Sequence, residues 1–358
     1  MAFKRSINNN YDIGSYKFET KLFFPEDIFY KIIEVRLSKV NEILEEEYKN
    51  RVKRKYPWNK NLVMIAADHP ARGVIKIGPN NTEMGDRHEY LGRILRVLTL
   101  DRVDGIMTTP DIMDDLFIMN YLFKQLGGKS FLDTKILIGS TNRGGLLSSP
   151  YEMYDPVTAY NIDDIRKLKL DGAKMMVRLD FETKMAKYSQ RTLVLCSKMI
   201  RRCNESKIPS FIEALPVTRD QDSNYTVNKN AESMIKTIGI ATALGGGSVN
   251  TWLKVPYVDK FESVAKSATN PILILGGEST GNPIDLFKIL EMGLAAGKNV
   301  KGCLAGRNLL YPGDDDPRAV ALSISGIIHD KNNTDKAIKI LNNNRGRQMD
   351  VLTSKFNP

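Results

Sequence analysis

Lys254 sits in the run Asn250-Thr251-Trp252-Leu253-Lys254-Val255-Pro256-Tyr257, a short apolar strand pattern with one lysine near its end. An ammonium in apolar surroundings is costly to hold unless it is used. Burial depresses its pKa and leaves an amine nucleophile suited to carbonyls. Two further apolar runs follow: Pro271-Ile272-Leu273-Ile274-Leu275 leads into Gly276-Gly277, and Val300-Lys301-Gly302-Cys303-Leu304-Ala305 into Gly306-Arg307. Glycine lets a backbone approach an anion closely. A lysine nucleophile followed by two glycine-rich strand ends therefore suits a phosphorylated carbonyl compound.

Other strand-like segments carry charges. Ala66-Ala67-Asp68-His69-Pro70-Ala71-Arg72-Gly73 ends one, Ala173-Lys174-Met175-Met176-Val177-Arg178-Leu179-Asp180 forms another, and Phe211-Ile212-Glu213-Ala214-Leu215-Pro216 a third. The strand period of two puts Lys174, Met176, Arg178 and Asp180 on one face, and Phe211, Glu213 and Leu215 on another. If the charged faces point inward, the charges must pair with one another or meet a polar substrate; an ion-pair network that only braces the fold is the alternative. Glu213 between Phe211 and Leu215 is expected to have a raised pKa, with Lys174 pulling it back down so that the two titrate together.

The chain has three histidines, His69, His88 and His329, and three cysteines, Cys196, Cys203 and Cys303. Neither set is spaced as a zinc site, and the cysteines suggest no disulfide framework. His69 either lies near the site or orients Asp68. No metal or other cofactor is expected, although magnesium held by carboxylates stays open. No GxSxG elbow is present.

The elements that must position these residues can be read from periodicity. Strands are expected at 62–67, 105–108, 135–139, 173–179, 210–215, 251–255, 272–276 and 300–305. Helices are expected near 86–100, 111–126, 157–168, 184–204, 228–244, 259–268, 283–296 and 317–329. Asn282-Pro283 and Asp316-Pro317 each set a capping residue before a first-turn proline. Eight strand–helix units predict an α/β fold, a closed (β/α)8 TIM barrel with function at the C-terminal strand ends. An open doubly wound sheet shares the pattern, but no GxGxxG follows the first strand.

Residues 1–58 read as an N-terminal helical extension, 59–335 as the barrel and 336–358 as a C-terminal helix and tail. In the extension Ile28, Ile32, Ile33, Val35, Val40, Ile43 and Leu44 fall at helical spacing, as for a segment that covers the barrel or makes a subunit contact. The formal charge is +10 in 358 residues, 42% of them hydrophobic. That favours an anionic partner. The basic run Lys49-Asn50-Arg51-Val52-Lys53-Arg54-Lys55 follows Glu45-Glu46-Glu47 and reads as a charged helix face, not a nucleic-acid arm. The expectation is a cytoplasmic homo-oligomer with a phosphorylated sugar substrate and neither nucleic-acid nor membrane partners.

Taken in order, Asp-His, Lys174, Glu213, Lys254, Gly-Gly and Gly-Arg-Asn resemble the class I, Schiff-base aldolases. Leu253-Lys254-Val255-Pro256-Tyr257 and Ala305-Gly306-Arg307-Asn308-Leu309 resemble the archaeal-type fructose-bisphosphate and deoxyribose-phosphate aldolase superfamily. Ile208-Pro209-Ser210-Phe211-Ile212-Glu213 and Ala173-Lys174 look closer to the tagatose-bisphosphate branch. The whole pattern over residues 60–330 is also similar to uncharacterised barrel aldolases associated with inositol catabolism. The resemblance implies that Lys254 forms the imine, that Glu213 shuttles protons with Lys174 beside it, and that Asp68 holds a substrate hydroxyl or acts as acid or base. Leu215 stands where the archaeal-type enzymes carry a tyrosine, which favours Glu213 as proton carrier.

The reading is a lyase that cleaves or condenses a phosphorylated ketose, with Arg178, Gly276, Gly277, Gly306 and Arg307 binding substrate. The alternatives are a sugar-phosphate-binding barrel without turnover, and an isomerase or transaldol-type carbon transferase.

Overall fold

The computed structural model describes residues 11–142, 153–181, 186–220 and 224–356. Eight parallel strands close on themselves: β1 (Leu62–Ala67), β2 (Gly105–Thr108), β3 (Ile136–Ser140), β4 (Gly172–Asp180), β5 (Ser210–Arg219), β7 (Thr251–Pro256), β8 (Ile272–Leu275) and β9 (Val300–Ala305). Each pairs with the next, β9 returns to β1 and β4 pairs with β5, so the barrel has no free edge. The short strand β6 (Tyr225–Val227) lies outside this ring, antiparallel to the end of β5. The fold is the expected (β/α)8 barrel, and the open-sheet alternative is excluded.

The strands are near-continuous apolar runs because both of their faces are covered. On β1, Leu62, Met64 and Ala66 point into the barrel, while Val63, Ile65 and Ala67 face the helices. The same parity sends Ala173, Met175 and Val177 of β4, Ile212 and Ala214 of β5, and Leu253 and Val255 of β7 outward. Phe211 and Trp252 point inward. There they meet Trp58, whose ring lies 6.1 Å from Phe211 and 6.0 Å from Trp252. These three aromatics plug the N-terminal end. One strand period further along, the inward positions are Glu213 and Lys254.

The helix starts follow from local chemistry. Asn282 accepts from the amide of Ile284 ahead of Pro283, and Asp316 from that of Arg318 ahead of Pro317. Before the barrel come helices Thr20–Phe23, Glu26–Ser38 and Val40–Asn50. Phe23, Phe24, Ile28, Ile32, Val35 and Ile43 are buried in the layer that includes the helices Arg87–Leu98 and Pro110–Gln125. Ile33, expected on the apolar face, is exposed. The expected charged helix face at 49–55 is also corrected: the helix stops at Asn50. Arg51 and Lys53 reach Asp171, and Arg54 reaches Asp104, so these basic groups tie an extended segment to the base of the barrel. Among the described residues no helix is long and apolar enough to cross a membrane.

One buried ion pair fastens the C-terminal segment. Arg96 is fully buried and grips both oxygens of Asp316, at 3.0 and 2.7 Å, while also donating to the carbonyls of Arg347 and Gln348. Asp316 accepts in addition from the amides of Arg318 and Gly346. Arg96→Met would leave a buried carboxylate without its cation, and breaking such a pair costs about 3–5 kcal/mol. Urea denaturation should show a loss of that size; a loss below about 1 kcal/mol would show that the pair carries little of the stability.

Candidate active site

The strand parity delivers Lys174, Glu213 and Lys254 to the barrel interior from three strands that pair side by side. Glu213 is in register with Lys254 on one side and with Met176 on the other. Asp68, the residue after β1, reaches them from across the mouth. The result is a chain of alternating charges. Lys254 Nζ lies 3.0 Å from Glu213 Oε1. Lys174 Nζ lies 2.8 Å from Glu213 Oε2 and donates over 2.8 Å to Asp68 Oδ2. Arg72 donates to the same Oδ2 at 2.6 Å from Nη2 and 3.2 Å from Nε. Ser140 Oγ also approaches Oδ2, at 3.3 Å. The Lys174–Glu213 contact is a charge contact without hydrogen-bond alignment.

The two lysines differ in ways that bear on reactivity. The Lys174 side chain is fully shielded and gripped by two carboxylates. Lys254 has one carboxylate partner, and 5% of its side chain remains exposed. Burial, first of all, lowers the Lys254 pKa; Lys174 adds to the fall, and Glu213 and Asp68 oppose it. The net direction is down, which favours the free amine.

For Glu213 the expected raised pKa is corrected. Burial pushes the carboxyl up, but Lys174, Lys254 and Arg72 together hold it below the usual carboxylate range. The face is apolar only at Phe211 and Leu215; the facing strands bring the cations. Asp68 behaves alike: burial raises it, and Arg72, Lys174 and Lys254 outweigh that, leaving it well below normal. Both acids stand as carboxylates.

The remaining expected residues lie around this core. Arg178 stands two positions beyond Met176 on β4, opposite Leu215. Gly276 and Gly277 follow β8; Gly277 has φ +77°, and a Cβ there would meet nothing within 4 Å. Gly306 follows β9. Its neighbour Arg307 lies 3.5 Å from the exposed Glu278, and Asn308 donates to the carbonyl of Gly276. The two glycine-rich ends are thus one contiguous patch. The clefts lined by Trp58 and Trp252, and by Arg54 and His329, lie at the opposite, N-terminal end. His88 is bound to the carbonyl of Phe24 and His329 to Asp104, both outside the mouth.

Sequence reading missed Arg72 and Ser140. Arg72 carried a signal, since it lies four residues after Asp68 on a turn of 3-10 helix that brings it back over that carboxylate. Ser140 carried none: a serine at a strand end is too common to single out.

The profile of a family described as Cgl0159-like matches residues 60–324. The crystal structure of Cgl0159 from Corynebacterium glutamicum is similar at 32% identity, covering 86% of this chain and 98% of that one, with a TM-score of 0.77. An uncharacterised aldolase of Saccharolobus solfataricus is 31% identical over 152 residues, 42% of this chain and 52% of that protein. The 2-amino-3,7-dideoxy-D-threo-hept-6-ulosonate synthase 1 of Archaeoglobus fulgidus is 36% identical over 77 residues, 22% of this chain and 28% of that protein. The chain thus spans about half, or less, of the length of these curated relatives. An archaeal fructose 1,6-bisphosphate aldolase shares the fold, with a TM-score of 0.53 at 18% identity over 80% of this chain and 99% of that one.

The electrostatics predict how Lys254 reacts. A small amine reagent, quantified by peptide mass spectrometry across pH, should label Lys254 with a midpoint below the ordinary lysine value of 10.5. Glu213→Gln removes the largest opposing charge, so the midpoint should fall further. Lys174→Met removes a like charge, so it should rise. Shifts in the reverse directions would mean that the chain of charges does not control this amine.

Proposed function

The chain belongs to the Cgl0159-like family, and from the charges at its barrel mouth we propose that it is a class I aldolase-type lyase. It would cleave or condense a phosphorylated ketose through an imine on Lys254. The observation that carries the reading is the pairing of a buried, pKa-depressed Lys254 with a carboxylate 3.0 Å away, on the sixth strand of the barrel. The aldolase-named relative and the shared fold with Schiff-base aldolases support it.

In the cleavage direction, the free amine of Lys254 attacks the ketone carbon and forms a carbinolamine. Glu213 takes the proton from nitrogen and returns one to the departing hydroxyl, which leaves as water. The resulting iminium is the electron sink. A carboxylate removes the proton of the hydroxyl that becomes the aldehyde; the carbon–carbon bond breaks and its electrons enter the enamine. Protonation of the enamine and addition of water then release the second product and restore Lys254. Glu213, touching both lysines, is the proton carrier at nitrogen, and Lys174 holds it in place. Asp68 Oδ2 is fixed by Arg72, Lys174 and Ser140, so its other oxygen is the one to meet a substrate hydroxyl. The Gly276–Gly277 and Gly306–Arg307 patch takes the phosphate, and Arg178 contacts the substrate further up the wall.

Borohydride reduction in the presence of a panel of ketose phosphates tests this directly. A covalent adduct should map to Lys254 and vanish in Lys254→Met. Glu213→Gln should lower turnover by about two to four orders of magnitude, the usual share of a general acid–base. An adduct on Lys174 would exchange the lysine roles, and tight binding with no adduct would favour a barrel that binds without turnover. Turnover should also persist in excess EDTA; its loss, with recovery on adding zinc, would overturn the class I reading.

A further inference from the structure

His69 lies beside the chain of charges without belonging to it. It follows Asp68, and its ring packs against the end of β9. A Cβ on Gly306 would come within 2.3 Å of His69 Cε1, 3.1 Å of Nε2 and 2.7 Å of the carbonyl of Ala66. The missing side chain of Gly306 is what seats the imidazole. His69 Nδ1 is shielded and has no hydrogen-bond partner. Nε2 is not among the shielded orphan atoms and makes no hydrogen bond among the described residues.

Orphaned buried N–H groups are rarer than unsatisfied acceptors. The ring proton therefore belongs on Nε2, the nitrogen that remains reachable; this tautomer is assigned from the surroundings. The groups that act on the ring are Asp68, Arg307, Lys254 and Arg72. Burial chiefly, joined by these three cations and opposed by Asp68, pushes the imidazole down to about 3. It is neutral at physiological pH and serves as a donor, not as a charge.

We propose that His69 anchors the anionic group of the substrate, its Nε2–H donating to a phosphate oxygen that Arg307 and the open backbone at Gly277 also hold. The step rests on the reading above only in taking the substrate to be a phosphate ester. A neutral donor suits this position. A further cation would add to the repulsion already acting on Lys254, whereas a neutral N–H binds the anion and leaves that amine's balance to Glu213 and Lys174.

The chain has only three histidines, so the ring can be observed directly. Nitrogen-15 histidine spectra of the whole protein, assigned with His69→Gln, should show one ring that stays neutral from about pH 5 to 8, protonated on Nε2. Inorganic phosphate should shift its Nε2 signal saturably, and Arg307→Ala should abolish that shift. In calorimetry with inorganic phosphate, His69→Leu should weaken binding about tenfold, the scale of one hydrogen bond to a charged group. His69→Asn, which keeps an N–H donor, should lose less than about threefold. A His69 that titrates in this range, a signal unmoved by saturating phosphate, or His69→Leu binding phosphate like the parent would each overturn the proposal. None of these readouts needs turnover. A phosphate response without a borohydride adduct would keep this anchor and sink the lyase; an adduct without a phosphate response would do the reverse.

Discussion

Five charges confined to one barrel interior cannot be placed independently. Arg72, Asp68, Lys174, Glu213 and Lys254 alternate in sign along a single run of contacts. Removing any of them from water costs several kcal/mol unless a partner of opposite sign stands at contact distance. An alternating row satisfies that condition for every member; its two ends, Arg72 and Lys254, each have a carboxylate on one side only. At the Lys254 end burial comes first in lowering the pKa, with Lys174 adding to the fall and a single contacting carboxylate opposing it.

The rest of the fold can be read as support for that row. Strand parity sends alternate residues inward, so Lys174, Glu213 and Lys254 need only one side-chain position each on β4, β5 and β7. Register sets Glu213 opposite Lys254 and Met176, with Lys174 one strand period nearer the base, opposite Phe211. Below them Phe211, Trp252 and Trp58 fill the base and keep water from reaching the charges from beneath. The shared dry surroundings strengthen each ion pair and also make any gap in the row expensive.

Much of this was legible in the sequence because a parallel barrel writes itself plainly. Its strands are apolar runs, its helices carry caps, and a charged residue inside such a run stands out. Lys174, Glu213 and Lys254 stand out for that reason, and they meet on one surface provided that the charged faces turn inward. The pKa direction of Glu213 was not legible. It depends on which groups face the carboxyl from other strands, and the neighbours Phe211 and Leu215 along its own strand point to the wrong answer. The segment after Asn50 failed for a related reason: a basic run looks the same whether it covers a helix face or spans carbonyls and carboxylates of a distant surface. Arg96 and Asp316, far apart in sequence, gave no hint of one another, because a buried pair between a helix middle and a helix cap has no local period to betray it.

The seating of His69 against Gly306 carries an implication for how this mouth could be altered. The ring and any side chain at position 306 claim the same volume, so the two positions are not independent variables. An alanine at 306 would collide with the imidazole while histidine remains at 69, and would still come within 2.7 Å of the Ala66 carbonyl once the ring is gone. Two substitutions of this kind are non-additive by construction: the ring's share of the clash counts only while histidine stands at 69. A library that varies position 306 alone would find it held by the ring and the carbonyl together, whereas one that varies both positions would find it held by the carbonyl alone.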